Sequence, residues 1–351
     1  MTAEQDIQEQ VQTAAASHTP LAIQGGNSKD FYGRATAGAP LSLGKHRGII
    51  DYTPSELVIS ARAGTLMTEL ESVLAQEDQM LPFEPPHFGA SATLGGSVAC
   101  GLSGPRRPYT GALRDFVLGV NCINGKGETL RLGGQVMKNV AGYDLSRTLT
   151  GSLGTLAVFL DVHLRVLPRP ALETTLVQSC SAATAVENIN RWAGQPLPLS
   201  AACHLDDRLY IRLSGMAEGV QAAATSIGGE PLDNAGHFWE QLREQQLPFF
   251  AENTPLWRLS VPAATPPLTL DGKILIDWGG AQRWLYSELP AGTIRSSVTA
   301  VGGHATLFRG GDRSAAVFQP LPPALLALHQ RLKNTLDPAG VFNPGRMYAE
   351  L

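Results

Sequence analysis

The sequence predicts an α+β protein of two domains, and three observations carry this. The chain has 351 residues, room for two domains of ordinary size, and 43% of them are apolar against 17% charged, enough for substantial cores. The prolines of "PRP" at residues 168–170 interrupt both strand pairing and helix, and mark the boundary. Beyond them short strands alternate with amphipathic helices, an order that suits an antiparallel sheet with helices on one face.

Along the first half, residues 6–17 read as a helix and "PLAIQGG" as a short buried strand ending in a glycine turn. "ELVISARAGT" is a second strand. Thr65 is placed to cap the helix "LMTELESVLAQ", whose Leu66, Leu70, Val73 and Leu74 share a face. Asn124 and Gly125 signal a hairpin within "DFVLGVNCINGKGETLRL". "YDLSRTLTG" reads as a short helix leading into "TLAVFLDVHLRVLP", where Val158, Leu160, Val162, Leu164 and Val166 line one face of a strand. After the boundary, "ETTLVQS", "RLYIRLSG", "PLWRLSVP", "KILIDWGG" and "ATLFRGG" read as strands. "AATAVENINRWAG", "AEGVQAAATSIGG" and "HFWEQLREQQ" read as helices, as does "PPALLALHQRLKNTLDP", with Leu325, Leu328, Leu332 and Leu336 at helical spacing. "NPGRMY" is a turn.

Composition excludes several function classes. A net charge of −4 does not suit a nucleic-acid binder. The first twenty residues lack the basic start and apolar core of a secretory signal, and no window has eighteen apolar residues to span a membrane. Cys100, Cys122, Cys180 and Cys203 are widely spaced with no C-x-x-C pair. That spacing argues against an iron–sulfur cluster or structural zinc in this chain, predicts no metal site, and fits a reducing cytosol.

Three small-residue segments stand out: "IQGGNSKD" (23–30), "SATLGGSVACGLSG" (91–104) and "KNVAGYDLSRTLTGSLGTLAV" (138–158). A core segment would be rich in Leu, Ile and Val. Glycine instead lets backbone N–H groups approach a ligand with no Cβ in the way, and successive amides form an anion-binding nest. One such segment would be read as a turn. Three in one domain point to a phosphate-bearing ligand, with a pyrophosphate the natural guest and Asn27, Ser28, Thr93 and Ser103 adding side-chain hydrogen bonds. Neither G-x-x-x-x-G-K-[ST] nor a G-x-G-x-x-G after the first strand is present, so the site is neither a P-loop nor a Rossmann crevice.

These segments, with "YTGALRDFVLGV" and the ending "LDPAGVFNPGRMY", resemble the vanillyl-alcohol-oxidase/PCMH-type flavoprotein superfamily. "SGPRRPYTGALRD" and "KNVAGYDLSR" narrow the resemblance to the FAD-binding E subunits of bacterial glycolate oxidases. It implies a PCMH-type FAD-binding domain of two α+β subdomains at residues 1–170. A smaller α+β cap domain with an antiparallel sheet would occupy 171–319, and a C-terminal helix and NPGR turn (320–351) would return to the FAD domain. Carried over, Gly25, Gly26, Asn27 and Ser28 line the first pyrophosphate loop, and Pro86 and Asp115 join the cofactor-binding set. Ala92, Thr93, Gly95, Gly96, Ala99, Gly101, Ser103 and Gly104 line the second loop, with Gly154 and Val158 near the adenine–ribose end. The first loop holds Asn27 and Ser28 where relatives that bond flavin covalently carry His or Cys, so FAD is expected to be non-covalent.

Catalytic members of the superfamily carry clustered histidines and an acidic residue in the second domain. Here His204, His237 and His304 are isolated in sequence, and a lone histidine reads first as structural or exposed. His304 and Arg107 are the catalytic candidates. Arg106 and Arg107 read equally as a cationic lid or carboxylate anchor and as a solvated loop or subunit contact. Arg114 and Asp115 read as fixing their loop, Tyr143 and Asp144 as holding the third segment by packing and capping, and Trp239, Trp257, Trp278 and Trp284 as core.

The resemblance implies a part in oxidising a small 2-hydroxy acid, glycolate, to its 2-oxo acid. The expected partners are a related catalytic D-type flavoprotein and an F-type iron–sulfur subunit. The setting is cytoplasmic, with peripheral attachment to the inner face of the membrane through those partners. Two other readings stay open: a self-sufficient FAD dehydrogenase of another hydroxy acid or alcohol, and a structural subunit that uses FAD for stability only.

Overall fold

A computed structural model describes residues 2–134 and 144–351. The chain packs as two compact units, each α+β. The first comprises Met1–Leu102, Ala112–Pro168 and Arg313–Leu351; the second comprises Ser103–Gly111 and Arg169–Asp312. Two prolines do sit at the 168/169 junction. The nine residues from Ser103 to Gly111, continuous in sequence with the second glycine segment, pack with the second unit. So does Arg169, while residues 313–319 pack with the first.

Among its described residues, the first unit is built on a five-stranded antiparallel sheet in the order Ile49–Thr53, Val58–Arg62, Val158–Arg165, Val117–Ile123, Thr129–Gly133. Val158–Arg165 is central; Val158, Leu160, Val162 and Leu164 are buried on one face, while Phe159, Asp161, His163 and Arg165 take the other. Ile59, Leu70, Leu74, Phe116, Val120 and Leu160 are buried in one cluster with it. Helix Met67–Gln76 buries Met67, Leu70 and Leu74 there. Thr65 does not cap that helix. Its hydroxyl accepts from the Gly48 amide (2.9 Å) and donates to the Gly48 carbonyl, tying two turns together. The hairpin after Ile123 is a five-residue turn, in which Asn124 Oδ1 accepts from the amides of Lys126 and Glu128, and the left-handed residue is Gly127.

A parallel pair, Leu21–Gln24 beside Ala39–Ser42, completes the scaffold of the loops. The C-terminal turn adds to its other side: Leu21 donates to the Val341 carbonyl (2.7 Å) and Asn343 to that of Leu21 (3.1 Å). Lys333 and Asp337, both buried on and just after helix Pro323–Leu336, hold this return. Lys333 Nζ reaches Asp337 Oδ2 (2.8 Å) and the carbonyls of Thr155 and Phe342.

The second unit carries an eight-stranded antiparallel sheet. Its order is Glu230–Pro231, Leu172–Ser179, Arg208–Gly215, Leu199–Leu205, Lys273–Asp277, Gln282–Tyr286, Leu256–Ser260, His304–Arg309. Helices Ala182–Ala193 and Ala217–Ile227 bury Ile189, Trp192 and Val220 against it. The four tryptophans expected in the core are buried. Three of its strands escape the sequence pattern, the two-residue Glu230–Pro231, Leu199–Leu205 and Gln282–Tyr286. The last contains Arg283, wholly buried, whose guanidinium donates to the carbonyls of Thr265, Pro266 and Gly280.

Candidate functional site

The strand Leu21–Gln24 delivers Gly25 and Gly26 against the second glycine segment. A Cβ on Gly25 would fall 2.2 Å from Thr93 Oγ1, and one on Gly26 would fall 1.5 Å from the Ser91 carbonyl oxygen. No other residue fits at either position while the loops keep this approach. Ser91 Oγ fastens the pair by donating to the Gly26 carbonyl (2.6 Å). Asn27 adopts the left-handed conformation, φ 56°. Among the described residues, the amides of Gly25, Gly26, Asn27 and Ser28 donate to no protein acceptor. A turn that presents successive amides in this way is an anion-binding concavity.

The second segment opens at Thr93, which caps helix Leu94–Cys100 by accepting from the Gly96 amide (3.3 Å). Its glycines have different jobs. Gly95 turns inward, where a Cβ would meet that of Ala63 at 2.7 Å, and its amide donates to the Ala63 carbonyl. Gly101 ends the helix at φ 63°, with Gly151 of the third segment 2.9 Å from where its Cβ would stand. Gly96 faces the opposite way, toward the first loop.

Between these loops lies a cavity of about 340 Å³, within the roughly 300–1,000 Å³ typical of small-molecule sites. Gly25, Gly26, Asn27, Ser28, Thr93, Gly96 and Ala99 line it. The other expected residues do not. Gly95, Gly101 and Gly154 shape the walls from behind, Gly154 at φ 69° against Asn343. Pro86, Ala92 and Val158 are buried, the last in the sheet. Asp115 is exposed and caps its own short helix through the Ala112 amide (2.8 Å). Ser103 and Gly104 belong to the second unit, where the Gly104 carbonyl accepts from Trp278 Nε1 (3.0 Å). Arg106 is buried in that unit and paired with Glu173 (2.6 Å), so its charge is already matched. Arg107 lies over the Trp278 ring, 4.3 Å from its centroid. Asp144 caps helix Leu145–Leu149. Tyr143 and the rest of "KNVAGY" lie outside the described residues.

The cavity also holds residues that sequence reasoning missed, above all Lys29, Asn343 and Arg346. Lys29 is buried, with Nζ 3.1 Å from the His87 carbonyl. Arg346 grips Asp30 through its carboxylate (3.1 Å) and carbonyl (3.0 Å). Asn343 joins three segments at once, accepting from the Ile23 amide and donating to the Leu153 carbonyl, both at 2.8 Å. Cys100, also on the wall, reports the field: burial pushes its thiol above the usual range, and Lys29 and Arg346 both pull it back. Unengaged amides, a glycine cradle that a Cβ would fill, and two cations together suit the pyrophosphate of a dinucleotide such as FAD.

The histidines are dispersed. His46 pairs with Asp161 (3.2 Å), His87 with Glu71 (3.2 Å), His163 with Ser60 (2.7 Å) and His204 with the Cys180 carbonyl (2.9 Å). Among the described residues, no three His, Cys, Asp or Glu side chains come together as a metal site.

Comparison with known proteins agrees with this geometry. Residues 1–133 match the family described as "FAD binding domain". The glycolate oxidase subunit GlcE of Escherichia coli (strain K12) is 52% identical over 347 residues, covering 99% of this chain and 98% of that protein. The glycolate oxidase subunit GlcD of Bacillus subtilis (strain 168) is 27% identical over 168 residues, 47% of this chain and 36% of GlcD. In fold, the chain matches the crystal structure of p-cresol methylhydroxylase with a TM-score of 0.72 at 17% identity, over 98% of this chain and 87% of that one. A likeness that runs through both units at half of all positions leaves one assignment: the chain belongs to the GlcE family of PCMH-type FAD-binding flavoproteins.

Proposed function

We propose that this chain is the FAD-carrying subunit of a glycolate oxidase, taking part in the oxidation of glycolate to glyoxylate beside a GlcD-type flavoprotein. The observation that carries this is the 52% identity with GlcE along 347 residues. When bound, FAD supplies the electron-accepting chemistry. The chain's own residues supply the rest. The amides of Gly25, Gly26, Asn27 and Ser28 meet the pyrophosphate, Lys29 and Arg346 offset its charge, and Gly96 leaves room for it. The loop has no His or Cys among residues 23–30, which supports non-covalent binding.

The division of labour follows from where the histidines are. Removing hydrogen from a 2-hydroxy acid needs an aligned base. Four of the eight histidines, His46, His87, His163 and His204, are each engaged in a bond that holds the fold, and no histidine is among the residues that line the cavity between the glycine loops. In this reading the GlcD-type partner performs that step, and the flavin of this chain passes electrons toward an iron–sulfur subunit. Among the described residues no helix is long and apolar enough to cross a membrane. In this reading the complex works in the cytoplasm or is held at the inner membrane face through its partners. The test is to assemble the complex with a Gly96→Val chain and follow glycolate-dependent reduction of an artificial acceptor. Turnover should fall by about tenfold or more. Unchanged turnover with this subunit's flavin missing would contradict the proposal.

A further inference from the structure

One face of the second unit's sheet carries a polar row that the preceding reading does not use. Strand Leu256–Ser260 runs between Gln282–Tyr286 and His304–Arg309, with Arg258 opposite Thr306 and Ser260 opposite both His304 and Gln282. Residues two apart on a strand share a face, and so do residues directly opposite across a pair, whose Cβ atoms stand about 4.5–5.5 Å apart. Arg258, Ser260, Gln282, His304 and Thr306 therefore form one contiguous patch.

Within it, Arg258 is held but not neutralised. Gln282 Oε1 accepts from Arg258 Nε (2.7 Å), and Gln282 is itself oriented by Asp277 Oδ2 (3.3 Å). The guanidinium lies 5.1 Å from the centroid of Trp278. Among the described residues no carboxylate comes within 4.0 Å of it as an ion-pair partner. The Ser260 and Thr306 hydroxyls and the His304 ring likewise have no protein hydrogen-bond partner among the described residues. Burial, with Arg258 beside it, keeps the His304 imidazole below its ordinary range, so at neutral pH it stays uncharged with one N–H to donate.

The platform beneath is strained. Trp278, Gly279 and Gly280 all have positive φ, 53°, 66° and 101°. Only the first is costly, because a bulky residue rarely adopts this conformation. Asp277 Oδ1 secures it by accepting from the Trp278 amide (2.7 Å), and Gly104 takes the indole N–H. The strained turn presents the indole to Arg258 and, 4.3 Å from the same ring, to Arg107. Strain kept at one residue and stacked by two cations is a feature that a merely packed core does not require.

We propose that Arg258, with His304, Ser260 and Thr306, forms a binding site for the carboxylate of a small 2-hydroxy or 2-oxo acid. Arg258 offers its outer fork to the carboxylate, as a planar guanidinium stacked on an aromatic ring is suited to do. His304, Ser260 and Thr306 donate to the remaining oxygens. The assignment of ligand class rests on the glycolate oxidase reading. It gives His304 a binding role in place of a catalytic one.

The test is equilibrium binding to the FAD-loaded chain by calorimetry, with glycolate and oxalate as probes and ethylene glycol as the neutral control. Wild type should bind both acids and not the diol. Arg258→Gln should weaken binding at least tenfold with flavin content and melting temperature unchanged. His304→Glu, at the start of the sheet's edge strand, should do the same by repulsion. Absence of acid binding in wild type, or equal binding by both variants, would overturn the site. The glycolate oxidase reading is judged separately by turnover of the assembled complex, so the two can fail independently.

Discussion

A Cβ placed on Gly26 would fall 1.5 Å from the carbonyl oxygen of Ser91. The first and second glycine loops are thus in backbone contact, and the cavity exists because they are. Gly26→Ala must push the loops apart. It should lower the stability of the first unit by ~1–3 kcal/mol and cost most of the bound FAD. Flavin-to-protein absorbance and chemical denaturation read both effects. Full flavin occupancy with unaltered stability would show that the loops are not in this contact.

Gly96 separates cofactor space from fold. The nearest atom to its hypothetical Cβ is Thr93 Oγ1 at 3.1 Å, and its face lines the cavity. Gly96→Val should therefore strip the flavin while leaving the apoprotein folded. Gly101→Val should strip it by damage instead, since Gly101 is at φ 63° and presses on Gly151. Circular dichroism beside flavin content distinguishes the two: an intact Gly96→Val spectrum and a perturbed Gly101→Val spectrum are expected.

Lys29 and Arg346 bring positive charge to the cavity wall. Lys29→Met and Arg346→Met should each weaken FAD binding by about ten- to a hundredfold, the loss of a charge-assisted contact of roughly 1.5–3 kcal/mol. Acid precipitation of wild type should release all its flavin. Colour retained in the pellet would disprove non-covalent attachment, and unchanged affinity in both variants would remove these cations from the site.

The first unit should lose stability on the acid side in two stages. Burial lowers the His163 pKa, so the unfolded chain takes up that proton first, near pH ~6.5, and stability falls from there toward the folded-state value. Burial alone would raise the Asp161 carboxyl, but hydrogen bonds from His46 and Asn121 bring it below its usual range. Its contribution is complete above pH ~3.9 and is lost as pH falls through the lower folded value. Denaturation measured from pH 7.5 to 3 should show the first decline, and His163→Gln should flatten it. An identical profile in the variant would mean that another group titrates.

Much of this architecture is legible in the sequence because it is local. Alternation finds Val158–Arg165, helical spacing finds Ala182–Ala193, and the glycine loops announce a backbone that must approach something. What escapes depends on partners far along the chain. Thr65 looks like a cap until Gly48 takes its hydroxyl. Arg283 hides the start of a core strand, because two of the carbonyls that satisfy it, on Thr265 and Pro266, come from an earlier loop. Ser103 and Gly104 look like part of the cofactor loop, since nothing local reveals Trp278 as the partner of Gly104, or Glu173 as that of Arg106. The NPGR turn is visible, but not that Asn343 would lock Ile23 to Leu153.

The division of labour is tested most directly by anaerobic stopped-flow absorbance of the flavin. The FAD-loaded chain is mixed with glycolate, first alone and then assembled with its GlcD-type partner. Alone, its flavin should stay oxidised over the time in which the assembled complex bleaches. Rapid, complete bleaching of the isolated chain would contradict the account and make this subunit a glycolate dehydrogenase in its own right.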